Sequence, residues 1–168
     1  MIQVRLWWFC PYKCNFPNSV SRGWCYPPHG WLKFNVSGIA SEVALGGGGV
    51  LRDDEGIVRA LFSSLNDACD IESAKLGAII TALDVFIKIG WKGLGLLIVE
   101  IDSKVVYNWI SDKTRRPWSQ QATFADLEMR IVCVGELSFS LAELNGNEMA
   151  DTLATVGMSR PCMFKAWW

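Results

Sequence analysis

Two clusters of side chains have the types and spacing for chemistry. Cys10, Cys14, Cys25 and His29 follow the pattern C-x3-C-x10-C-x3-H, the ligand types that zinc prefers. Pro11, Pro17 and the Pro27-Pro28 pair leave no helix to carry the histidine, so these groups read as incidental thiols in a loose extension. The segment Lys113-Thr-Arg-Arg-Pro-Trp118 sets three positive charges beside an aromatic ring in an expected loop. Such a loop can contact phosphates and stack on a base. A solvated basic loop whose Trp118 packs on the core is the open alternative. Acids mark two further places. Glu100 and Asp102 are two residues apart and so lie on one side of a strand, and Asp151 falls inside the expected last helix.

The elements that must position these groups follow from hydrophobic period. Residues 31–36 alternate apolar and polar, the signature of a half-buried strand. The glycine run 46–49 leads into a second strand at 49–52, a turn follows at 53–56, and residues 57–63 pair back as a third strand. Leu76, Ile79, Ile80, Leu83 and Ile87 form one apolar stripe of a helix over 71–89, closed by Gly90. Residues 96–101 form a fourth strand, expected parallel to the first because a helix leads into it. Asp102 and Ser103 cap a helix over 104–110. A helix over 123–134, a strand over 137–144 and a helix over 147–156 complete the order βββαβα(α)βα. The expected fold is α/β, a five-stranded mixed sheet flanked by helices, over residues 31–160. Residues 1–30 read as a Trp- and Pro-rich extension or linker, and residues 161–168 as a tail.

Composition bounds the function. The 168 residues are 51% hydrophobic and 20% charged, enough for one domain with a buried core. Sixteen basic against seventeen acidic residues give a net charge of −1, which excludes a strongly basic nucleic-acid arm and an acidic tail. No run approaches the roughly 18 apolar residues of a spanning helix, and residues 6–10 are too short for a signal-peptide core. The expected setting is intracellular, without a membrane, and with the six cysteines mostly free thiols. Of the nine tryptophans, Trp7, Trp8, Trp24, Trp167 and Trp168 cluster near the ends.

Local strings sharpen the element order. Trp31-Leu-Lys-Phe-Asn-Val-Ser-Gly38, Gly48-Gly-Val-Leu-Arg-Asp53, Val99-Glu-Ile-Asp-Ser-Lys104 and Asn147-Glu-Met-Ala-Asp-Thr-Leu-Ala154 occur in order. They resemble the motifs of plant ribonuclease H-like (type 1) domains related to reverse transcriptases of non-LTR retrotransposons. The resemblance runs from about residue 24 to 160. It implies a ribonuclease H-like fold, the RNA–DNA hybrid ribonuclease class, nucleic acid as partner, and Mg²⁺ or Mn²⁺ as cofactor.

The resemblance also implies four metal-binding carboxylates, which map onto Ser37, Lys75, Asp102 and Asp151. Only the last two are acids, and they are the expected catalytic and metal positions. Four carboxylates would carry −4, whereas a hydroxyl, an ammonium and two carboxylates carry −1. A unit charge about 4 Å away is worth several kcal/mol at an effective dielectric near 20, so metal binding is expected to be severely weakened. A family-typical basic residue before the last helix is also missing, with Leu144 and Asn145 in its place. The single histidine, His29, lies outside the domain. Expected nucleic-acid contacts are Asn35, Gly38, Lys113, Arg115, Arg116 and Trp118. The leading expectation is a catalytically degenerate, nucleic-acid-binding domain. One alternative is an active hybrid ribonuclease rescued by Glu72 or Glu100. Another is a protein-interaction module in which Lys75 pairs with Asp102 or Asp151.

Overall fold

The computed structural model describes residues 23–90, 96–143 and 145–168. Strands β1 (Leu32–Ala40), β2 (Leu45–Arg52) and β3 (Val58–Asn66) form an antiparallel meander. Helix α1 (Ile71–Ile89) follows, then β4 (Leu97–Ile101), α2 (Lys104–Ser111), α3 (Gln121–Val134), β5 (Leu137–Leu141), α4 (Glu148–Gly157) and β6 (Phe164–Trp167). The sheet order is β5-β4-β1-β2-β3-β6, with β4 parallel to both β1 and β5. The α/β class, the parallel fourth strand and the flanking helices match expectation.

The sheet has six strands where five were expected. The extra one comes from the segment read as a tail. Four residues pair antiparallel with Ala60–Ser63, covering backbone groups that β3 would otherwise present at a bare edge. A four-residue strand carries too little periodicity to announce itself.

Local chemistry sets the helix ends. Asp70 accepts from the Ser73 amide to start α1, and Gly90, at φ 76°, closes it in the left-handed conformation. Ser103 accepts from the Val106 amide to start α2. The apolar stripe of α1 meets Phe34, Phe62, Val99 and Phe139 in one core.

The glycine run lies inside β2 rather than before it. A Cβ on Gly46 or Gly48 would run into the backbone of α4 at Ala154. Bare Cα atoms there let α4 lie directly on the sheet. Gly38 does the same for the opposite layer, since its Cβ would stand 2.7 Å from the Lys75 nitrogen. That close approach of α1 to β1 fixes where Lys75 emerges.

Residues 23–30, read as part of a loose extension, pack on the domain. The Trp24 indole donates to Asn35 Oδ1 at 2.7 Å, the Gly30 amide donates to Asp54 at 2.8 Å, and Pro27 is buried. His29 sits 2.7 Å from the same Asp54 carboxylate. Cys10 and Cys14 of the zinc-like spacing lie outside the described residues.

Candidate functional site

The α4-facing side of the sheet is polar along β1 and β4. Lys33, Asn35 and Ser37 alternate onto it from β1, and Glu100 sits opposite Asn35 in the parallel register. The alternation of residues 31–36 reads as a half-buried strand, but Lys33 and Asn35 are buried, as is Ser37 just beyond that span. Helix α4 and residues 23–30 cover their side.

The four mapped positions converge. Ser37 Oγ donates to Asp151 Oδ1 at 2.5 Å, and Lys75 Nζ lies 3.2 Å from Asp102 Oδ1. Burial pushes the Asp151 carboxyl above the usual aspartate range. Asp102 and Glu148 add to that, while the Ser37 hydroxyl and the Lys75 ammonium oppose it. Two separate elements, β1 and α1, thus supply a hydroxyl and a cation where a two-metal centre needs carboxylates. The donor set does not fit a pair of divalent cations. Each acid already has a partner, and the ammonium stands among the groups that would have to receive the metal. Among the described residues, no three His, Cys, Asp or Glu side chains gather as a metal-holding cluster.

Glu100 belongs to a neighbouring buried network. Its carboxylate accepts from Lys33 Nζ at 2.9 Å and Asn35 Nδ2 at 3.0 Å, with Ser140 Oγ at 3.5 Å. Lys33 also donates to the Cys25 carbonyl, and Asn147 Nδ2 donates to the Val36 carbonyl. Asn35 spends its remaining capacity on Trp24, Gly146 and Asn147. Sequence reasoning did not find this network. Alternation along β1 gives the side of the strand but not that the side is covered.

The expected nucleic-acid contacts separate in space. Asn35 is 1% exposed and engaged internally, which leaves it no edge for a ligand, and Gly38 lies beneath α1. In the basic segment, Arg116 lies with its guanidinium 4.1 Å from the Phe124 ring and donates to the Trp109 carbonyl at 2.8 Å. Glu128 accepts from both Arg116 and Lys113 at 2.8 Å, which lowers its pKa. Arg115 pairs with Asp112 at 3.3 Å. Trp118 does not pack on the core; it is 85% exposed and free to stack.

Known proteins match this architecture. The ribonuclease H1 of the halophilic archaeon Halobacterium salinarum aligns with a TM-score of 0.68 at 17% identity, over 76% of this chain and 97% of that one. LC11-RNase H1, solved in complex with an RNA/DNA hybrid, aligns at 0.68 with 21% identity, over 76% and 96%. The foamy viral protease-reverse transcriptase bound to RNA/DNA hybrid aligns at 0.58 with 18% identity, over 86% of this chain and 22% of that one. No curated protein sequence matches. The fold is therefore that of ribonuclease H. The model of the reverse transcriptase-like family matches residues 35–157, and the chain belongs to that family.

Proposed function

We propose that this domain binds nucleic-acid duplexes of the RNA–DNA hybrid type with modest affinity and does not cleave them through two metals. The observation that carries the reading is the pairing of Lys75 with Asp102 beside the Ser37–Asp151 hydrogen bond. Two-metal phosphodiester hydrolysis would require divalent cations to activate water and stabilise the leaving oxygen. Here the residues perform a different task. Lys75 neutralises Asp102 in place, Ser37 satisfies Asp151, and the surface presents less negative charge to a phosphate backbone than four carboxylates would. The exposed Trp118, Lys113 and Arg115 supply stacking and long-range attraction. The net charge of −1 keeps affinity modest and salt-sensitive.

Rescue by Glu100 is disfavoured by its engagement with Lys33 and Asn35. Glu72, half-buried in the first turn of α1 and one turn before Lys75, is the other acid that the rescue reading invokes. Similarity to plant retrotransposon domains supports an origin in a mobile element and rests on the motif strings alone.

The test compares the natural chain with S37D/K75E. Only the double variant is expected to gain thermal stability on adding Mg²⁺, by about 2.7 kcal/mol at a hundredfold excess over its Kd. The natural chain is expected to shift little and to leave an RNA–DNA hybrid uncut in Mg²⁺ or Mn²⁺. Turnover by the natural chain matching the double variant would refute the reading.

A further inference from the structure

Beside the centre, a cleft of about 340 Å³ is lined by Trp24, Asn35, Arg52, Asn147, Glu148 and Met149 among others. Arg52 sits opposite Lys33 in the β1–β2 register, on the polar side of the sheet. Its guanidinium carbon lies 4.7 Å from the Trp24 ring centroid, and Nη2 lies 2.9 Å from Met149 Sδ. Neither contact neutralises it. No carboxylate lies within ion-pair distance of Arg52 among the described residues, and the remaining residues contain no Asp or Glu. Glu100, the nearest buried acid, is already paired with Lys33 at 2.9 Å. Arg52 is therefore a half-buried cation, held in orientation by an indole and a thioether, attracted by Glu100 but in ion-pair contact with no carboxylate among the described residues. The amino end of α4 opens into the same cleft and adds favourable dipole. A guanidinium so placed suits a phosphate oxygen pair.

We infer that the Trp24–Arg52 cleft is a phosphate subsite, and that it takes a backbone phosphate of the bound nucleic acid beside the Ser37–Asp151 centre. Along β1, Lys33 lies four residues from Ser37, roughly 13 Å at about 3.3 Å per residue, so the subsite flanks the centre rather than overlapping it. Glu148, exposed on the rim between the two, works against an anion. The inference rests on the proposed nucleic-acid reading for its physiological ligand, but not for its phosphate chemistry.

The experiment has two arms, on the full chain. In the first, hybrid binding is titrated against salt for the natural chain, R52M, R52K and E148Q. R52M is expected to weaken binding several-fold at low salt and to reduce the slope of log K against log salt by about one. R52K is expected to keep the slope with part of the affinity, and E148Q to bind more tightly. An unchanged slope and affinity in a folded R52M would overturn the subsite while leaving hybrid binding intact. In the second arm, inorganic phosphate is titrated against the indole N–H resonance of Trp24, assigned with W24F. A saturable shift lost in R52M supports the subsite even if the natural chain fails to bind hybrid, which would refute the proposed function alone. Absence of any shift together with absence of hybrid binding overturns both.

Discussion

Lys33 and Glu100 hold opposite charges 2.9 Å apart with side chains only 4% and 10% exposed. Removing one partner of such a pair leaves a buried charge without compensation and costs about 3–5 kcal/mol. K33M is expected to lose that much in denaturant unfolding, and K33M/E100Q to recover most of it. Equal losses in the two variants would mean that packing rather than charge sets the cost. Asp151 gives a pH signature of opposite kind. Its pKa is raised on folding, so ionisation costs the folded state stability that is absent below the unfolded value near 3.9. The cost grows as pH rises through the folded value and is full above it. D151N is therefore expected to unfold at higher temperature than the natural chain at pH 7, with the advantage vanishing near pH 3. A variant less stable at pH 7 than at pH 3, relative to the natural chain, would reverse the assignment. The positions Ser37, Asp102 and Asp151 were legible because each sits in a local string, and Lys75 because it lies on the strongly periodic α1. The Lys33–Glu100–Asn35 network was not, because it depends on what covers β1 from elsewhere in the chain.

At the scale of elements, the site depends on how near the helices approach the sheet. Gly38 admits the backbone of α1, and Gly46 and Gly48 admit α4. G38A would force α1 away from β1 and is expected to cost about 1–3 kcal/mol as overpacking. It should also loosen the Lys75–Asp102 pair, which is 3.2 Å long in the natural chain. The measurement is urea unfolding together with the Lys75 Nζ resonance, and a G38A variant as stable as the natural chain would show that α1 has slack. The bounds of α1 were readable from its stripe, its Asp70 cap and Gly90. The glycine run was harder. Four glycines carry no alternation, and the strand contains them because α4 presses on Gly46 and Gly48 and the Phe62 and Phe34 rings press on Gly49.

For the molecule as a whole, segments on both sides of residues 31–160 take part in the fold. Residues 23–30 close one side of the polar network, and β6 closes the outer edge of β3. Truncation after Arg160 removes four cross-strand pairs at about 0.2–1 kcal/mol each and is expected to lower stability by about 1–3 kcal/mol. It should also raise light scattering on heating, because the β3 edge becomes available to other chains. A truncated chain as stable and as monodisperse as the natural one would make β6 dispensable. No described helix is long and apolar enough to cross a membrane. The Lys75 ammonium, 3.2 Å from Asp102, has one last consequence. A cation tethered to the backbone cannot be chelated, diluted or exchanged for a neighbour in the periodic table. On the proposed reading, the charge at this position therefore does not vary with the supply of magnesium.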